Sequence, residues 1–330
     1  MDKIKAAIIG CGGRNGAHFE KLYSFKDVEM AGFCDVVLER AQHMQKNAGT
    51  GKAYTCITDM LDEVKPDVCF IAVPPHQHGE IEEEVIKRGI HFLVEKPMAL
   101  DMDLANSILA KIKEKNLITA IGFQDRYQNL TQIMKDYIKD KQVGLVSGGW
   151  MGGIPGVPWW RTMETSGGQV VEQNIHLFDQ LRFLFGDPSS VYCAASRGIV
   201  DGDAYGVPGY NVHDYSSAIV KFPSGIVANL FTSCYHIGGS TTNSGMTVYC
   251  KDSTIEYSLR NYVKIHDKDG WQAPIYRGEE QTGIQDRIFI DAIWSGDRSK
   301  ILSDYEDGVK SLKLTLACNE SAETGKEIQL

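Results

Sequence analysis

A lysine, a histidine and a glutamate stand in this chain where residue type and spacing can move protons. Lys96 lies in the charged tripeptide Glu95-Lys96-Pro97, which closes the apolar run Ile90 to Val94. At the carboxyl end of a buried strand an ammonium faces the crevice where open α/β sheets take up ligands, so Glu95 and Lys96 are expected beside cofactor and substrate. Glu172 and His176 are four residues apart, after the glycine pair Gly167-Gly168. One helix from about Val170 to Phe185 would put both on one face with Asp179 a turn further on, and bury Val171, Ile175, Phe178 and Leu181 on the next. A routine surface ion pair has the same spacing.

A second group of residues fits a phosphorylated ligand. Gly10-Cys11-Gly12-Gly13-Arg14-Asn15-Gly16 follows the first apolar run and opens a helical segment, the context a dinucleotide fingerprint requires. Gly10 permits the tight turn, and Gly12 lets the backbone approach a pyrophosphate held by the amides of Gly13, Arg14 and Asn15. Asn15 occupies the third fingerprint position, where Gly or Ala is usual. Asp35 ends the second run, where a carboxylate accepts ribose hydroxyls and repels a 2'-phosphate. No arginine occurs in Val36-Val37-Leu38, so NAD is expected in preference to NADP; capping of the next helix is the competing role for Asp35. Val73-Pro74-Pro75-His76-Gln77-His78 closes another strand at the same edge, which makes Pro74 and His78, with His76, candidates for a cofactor wall. Trp159-Trp160-Arg161 either buries its indoles in a domain interface or offers a sugar ring a platform, with Arg161 supplying hydrogen bonds.

These groups need a scaffold, and the patterning supplies one. Apolar runs at Ile4 to Gly10, Val28 to Asp35, Val68 to Pro74, Ile90 to Val94 and Leu117 to Phe123 alternate with helical segments, which predicts a doubly wound parallel sheet over residues 1–123. From 124 to 330 two helices and a Gly- and Trp-rich loop precede short alternating strands from Val191 to His266 and a last helix over Tyr305 to Glu323. This predicts an α+β substrate domain on a mostly antiparallel sheet. A chain of 330 residues with 43% hydrophobic and 23% charged residues accommodates two such domains. A net charge of -9 argues against nucleic acid, and no stretch reaches the roughly 18 apolar residues of a membrane span. Eight scattered cysteines without a CxxC pair predict buried thiols in a cytoplasmic protein, with no metal site and no disulfide framework.

Taken together, the Gly10 loop, Glu95-Lys96-Pro97, the Gly167 to His176 segment and the C-terminal Ser321-Ala322-Glu323-Thr324-Gly325 resemble the Gfo/Idh/MocA family of glucose-fructose oxidoreductases and inositol dehydrogenases. The resemblance implies a Rossmann domain followed by an open-sheet domain that forms homodimers or homotetramers. It further implies hydride transfer between nicotinamide and a secondary carbinol of a sugar, sugar derivative or cyclitol. By that resemblance Lys96 contacts the reacting hydroxyl and the nicotinamide ribose, His176 is acid or base, and the two act as a coupled pair. Glu172 stands where the family has aspartate, and Arg126-Tyr127 match its Arg-aromatic pair reaching the substrate pocket. Two other outcomes share this machinery: an NAD-dependent glycosidase that oxidises, eliminates and re-reduces, with Glu172 as the extra base, and a non-catalytic NAD-binding regulator. Substrate choice is expected from Met151 to Arg161, Tyr205 to Asp214, Tyr235 to Ser244 and Tyr276.

Overall fold

The computed structural model describes residues 3–202, 209–236 and 244–330, so parts of the loops at Tyr205 and at Tyr235 to Ser244 lie outside the described residues. Parallel strands come first: β1 (Ile4–Ile9), α1 (Gly13–Ser24), β2 (Val28–Cys34), α2 (Leu38–Ala48), β3 (Lys52–Tyr54), α3 (Ile57–Val64), β4 (Val68–Ile71), α4 (Glu80–Lys87), β5 (His91–Val94), α5 (Met102–Glu114) and β6 (Thr119–Ile121). The chain continues through α6 (Asn129–Ile138), β7 (Val143–Met151), α7 (Met163–Ser166), α8 (Gly168–Glu172), α9 (Ile175–Phe185), β8 (Ser190–Ser196), β9 (Tyr215–Lys221) and β10 (Val227–Ser233). It ends with β11 (Gly245–Cys250), β12 (Thr254–Ser258), β13 (Tyr262–Asp267), β14 (Gly270–Trp271), β15 (Ile275–Tyr276), α10 (Gln281–Ser295), α11 (Tyr305–Thr324) and β16 (Ile328–Gln329).

Two compact units result, one of residues 1–127 with 280–309 and one of 128–279 with 310–330. In the first, six parallel strands run in the order β3-β2-β1-β4-β5-β6, as the near-continuous apolar runs predict for a sheet covered on both faces. Ile8, Phe33, Phe70 and Leu93 are fully buried, each worth roughly 1.5–3 kcal/mol. Segment 280–309 packs here although it was assigned to the second domain from its sequence position. Phe289 and Ile290 of α10 enter this core, with Phe289 edge-on to Phe70 at 5.8 Å, and Arg287 pairs with Asp27.

The second unit holds a ten-stranded sheet ordered β14-β13-β12-β11-β7-β10-β9-β8-β16, with β15 beside β13. Its pairings are antiparallel except β7 with β10. One face buries Val146, Ala218, Leu230, Val248 and Ile255 against Leu177, Phe178 and Leu181 of α9 and Met134 of α6. Strand β7 was expected as loop because of its glycines, yet they are what allow it to sit centrally. A Cβ on Gly148 would lie 2.3 Å from the Gly245 carbonyl oxygen, and one on Gly149 would lie 2.1 Å from that of Phe231.

Candidate active site

The first unit gathers its candidate residues at the carboxyl edge of the parallel sheet. Strand order reverses between β1 and β4, the switch point at which such sheets bind ligands. Gly10 turns the chain there with φ +84°; a Cβ would lie 2.2 Å from the Ala72 carbonyl oxygen, so no other residue fits without displacing β4. Gly12 and Gly13 are exposed, with open space where a side chain would be, and α1 begins at Gly13 with no acidic residue in its first turn. Bare amides and the positive end of a twelve-residue helix fit a pyrophosphate.

Asp35 is buried and does two jobs: Oδ2 accepts from the Cys11 amide and Oδ1 from the Val37 amide, each at 2.8 Å. It therefore ties the glycine loop to the end of β2, and a carboxylate keeps lone pairs for ribose hydroxyls. Arg40, two residues past Leu38, stands 4.0 Å from Asp35 Oδ1 and lines a pocket of about 490 Å³ with Gly12, Gly13 and His43. Asp35→Ala is expected to weaken NAD binding by about tenfold and to narrow the preference over NADP, with Arg40 the cation that receives the 2'-phosphate. Parallel titrations of both nucleotides check this, and an unchanged ratio contradicts it.

Several candidates prove to be structural. Asn15 is fully buried and its side-chain amide donates to the carbonyls of Ile9 and Gly10 at 2.8 Å and of Phe70 at 3.2 Å, so its side chain locks α1 to β1 and β4. His78 is buried and spends its Nδ1 on Glu82 Oε1 at 2.6 Å, while Glu82 Oε2 accepts from the Gly79 amide and closes the start of α4. Pro74 is half-buried before the 3-10 turn Pro75–Gln77, and His76 is exposed. Arg126 and Tyr127 are buried within the first unit: the Arg126 guanidinium donates to the Leu302 carbonyl and pairs with Asp307 at 2.6 Å, and the Tyr127 hydroxyl accepts from the Leu302 amide. They hold the chain before α11, a use that a local motif does not reveal.

Glu95 turns inward. Its Oε1 accepts from Arg14 Nε at 2.6 Å and lies 3.1 Å from His18 Nε2, and its Oε2 accepts from the Lys96 amide at 3.3 Å. Burial pushes this carboxyl up, but the charge of Arg14 and the hydrogen bond and charge of His18 outweigh it and bring it down to about 2. Glu95 thus anchors the Lys96 amide, with Arg14 as its ion-pair partner. Lys96 itself is half-buried directly after β5, joined to Pro97 by a cis peptide. The role of His18, on the buried face of α1 beside Phe19 and Leu22, was missed; the one sequence cue was a histidine among apolar helix positions.

In the second unit the expected long helix is two. The amides of Gln173 and Asn174 both donate to the Gln169 carbonyl, at 3.0 and 2.8 Å, so α8 ends and α9 restarts; Glu172 and His176 are not an i,i+4 pair of one helix. Asp179 is buried and accepts from Ser311 Oγ at 2.6 Å. Trp160 is completely buried with Val200, Val212 and Cys234, and its Nε1 donates to Glu172 Oε2 at 2.9 Å. It is a core residue that aims Glu172, not a sugar platform; Trp159 and Arg161 remain half-buried. The His176 ring stacks on Trp150 of β7, centroids 6.2 Å apart and planes 25° apart, with the Arg260 guanidinium 5.6 Å from the same indole. Among the described residues no group of three His, Cys, Asp or Glu is placed to hold a metal ion, and no helix is long and apolar enough to cross a membrane.

Comparison with known proteins agrees with this architecture. Residues 4–123 match the family model described as an oxidoreductase family with an NAD-binding Rossmann fold, and residues 135–256 match the GFO/IDH/MocA C-terminal domain. Among similar proteins, the myo-inositol 2-dehydrogenase of Thermotoga maritima is 23% identical, covering 99% of this chain and 98% of that one. The D-glucoside 3-dehydrogenase of Escherichia coli K12 is 24% identical, covering 99% and 97%. In fold, the chain is similar to levoglucosan dehydrogenase solved in complex with NADH and levoglucosan, with a TM-score of 0.86, 18% identity and 99% of each chain covered. A glycine cradle at the switch point, an acid at the end of β2, a lysine after β5 and matches to both family domains together show that this chain belongs to the GFO/IDH/MocA family of NAD-binding oxidoreductases.

Proposed function

We propose that this protein is an NAD-dependent dehydrogenase that oxidises a secondary hydroxyl of a sugar, sugar derivative or cyclitol, or reduces the corresponding ketone. The observation that carries the reading is Lys96 at the carboxyl end of β5, on the same sheet edge as the Gly10 to Gly16 cradle at the end of β1. The names of the inositol and glucoside dehydrogenase relatives support the substrate class. Bound NAD supplies the hydride acceptor at C4 of its nicotinamide. Lys96 meets the substrate hydroxyl and as a cation stabilises the alkoxide charge that develops on it, and Lys96 and His176 act as a coupled pair that takes the proton. Glu172, aimed by Trp160, orients His176 or a substrate hydroxyl, and Trp159 and Arg161 line the sugar side. Gly10, Gly12, Gly13 and Asp35 hold the dinucleotide.

We also read the protein as a cytoplasmic homodimer or homotetramer. Free thiols at all eight cysteines support a reducing compartment. Leu145, Tyr192, Ile219, Val227 and Tyr249, apolar but more than one-third exposed on neighbouring strands, support self-association through the second unit's sheet. The test of activity is a panel of cyclitols, aldoses and aryl glycosides with added NAD, following NADH absorbance and aglycone release together. NADH accumulating with a free polyol or sugar is expected; aglycone release without net NADH, or silence in both channels, contradicts the proposal.

A further inference from the structure

Behind Lys96 lies a buried ion cluster that the dehydrogenase reading leaves unused. His18 of α1 is fully buried. Its Nδ1 lies 2.8 and 2.9 Å from the two carboxylate oxygens of Asp286 on α10, and its Nε2 lies 3.1 Å from Oε1 of Glu95. Arg14, one turn earlier on α1, donates to the same Glu95 oxygen, and the Phe70 ring of β4 packs 5.4 Å from the imidazole. Ionised carboxylates only accept hydrogen bonds, so a ring with a carboxylate at each nitrogen must donate from both. Burying these charges costs desolvation that well-packed apolar side chains would avoid, so holding the fold together does not by itself account for the cluster. Its inner end is Glu95, whose other oxygen accepts the Lys96 amide.

We propose that His18 is a positioning residue: as an imidazolium clamped between Asp286 and Glu95, it fixes the Glu95 carboxylate that accepts the Lys96 amide and offsets its charge, and so holds Lys96 in place for turnover. This deepens the reading of Lys96 given above and rests on it. Without the cation on His18, Glu95 loses one of the partners that hold its carboxylate against the Lys96 amide.

Burial pushes His18 down, but the charge of Asp286 and the hydrogen bonds to Asp286 and Glu95 outweigh burial and the charge of Arg14, raising it from 6.5 to about 9. A group raised in the folded state contributes stability that is whole below its unfolded value and is lost as pH rises through the folded one. The contribution of the His18 clamp to stability is therefore whole below about pH 6.5 and lost as pH rises through about 9, and His18→Gln removes that contribution to the pH dependence.

The experiment is His18→Gln assayed with NAD and a turned-over substrate from the panel. NAD affinity and substrate KM are expected within about threefold of wild type, with turnover at pH 7 lower by about tenfold. Folded His18→Gln protein with wild-type turnover overturns the proposal, because a merely structural role changes stability without lowering turnover at unchanged KM. Should His18→Gln fail to fold, Asp286→Asn, which removes only the outer carboxylate, is read in the same way. Imidazole NMR of the wild-type holoenzyme tests the clamp without any turnover: His18 is expected to remain cationic at pH 8, and a ring titrating near its ordinary 6.5 overturns the proposal. Failure of the parent reading is distinct, since it appears as Lys96→Ala activity while His18 is still cationic.

Discussion

Lys96→Ala is expected to lower turnover by roughly 1000-fold or more while NAD binding changes by less than about tenfold. The asymmetry follows from where the charge acts. The glycine cradle, the start of α1 and Asp35 hold the dinucleotide through the ends of β1 and β2, so affinity survives the loss of one side chain after β5. The alkoxide that forms as the hydroxyl proton leaves, and from which hydride then departs to give the ketone, has no comparable substitute, because a preorganised cation stabilises developing charge in a way that water admitted by a truncated side chain cannot. Lys96→Arg keeps the charge but holds its proton, and should retain oxyanion stabilisation while losing proton exchange, leaving an intermediate rate with a flattened pH profile. Isothermal titration with NAD beside steady-state kinetics separates the two effects. Near-wild-type turnover of Lys96→Ala contradicts the assignment.

The second large effect concerns Trp160. Truncation to Ala removes a completely buried indole from among Val200, Val212 and Cys234 and is expected to cost about 3–5 kcal/mol of stability in denaturant unfolding. It also removes the Nε1 donor from Glu172 Oε2. Trp160→Phe separates the contributions: most of the packing returns, so the stability loss should fall below about 2 kcal/mol, but no ring N–H remains to aim the carboxylate and turnover stays about tenfold low. If Trp160 were a sugar platform, Trp160→Ala would leave stability intact and raise only KM. That pattern contradicts the core assignment.

Fold and site were legible in the sequence to different degrees, and the boundary between them has physical causes. Strands β1, β2, β4 and β5 announce themselves because a parallel sheet buried on both faces demands unbroken apolar runs. Gly10, Gly12 and Asp35 are legible because a phosphate cradle leaves few alternatives to glycine and a carboxylate at those offsets. Strand β7 was hidden by Gly148 and Gly149, which read as loop until the neighbouring backbones of β10 and β11 show why no side chain fits. The break at Gln173 and Asn174 was hidden because helical spacing carries straight through it. His78, Arg126 and Trp160 carry chemistry by type but spend it on Glu82, on Leu302 with Asp307, and on Glu172, and such partners depend on tertiary placement. The same holds for His18, whose two carboxylates come from residues 77 and 268 positions away in the chain.

Transfer of label tests the central claim most directly. Protein incubated with NADH deuterated at nicotinamide C4 and a mixture of inososes and keto-sugars should place one deuterium on a secondary carbinol carbon of one product, read by mass spectrometry, and Lys96→Ala should place almost none. If NADH binds but no product of the mixture acquires deuterium, or if Lys96→Ala transfers label as the wild type does, hydride transfer by this site is contradicted.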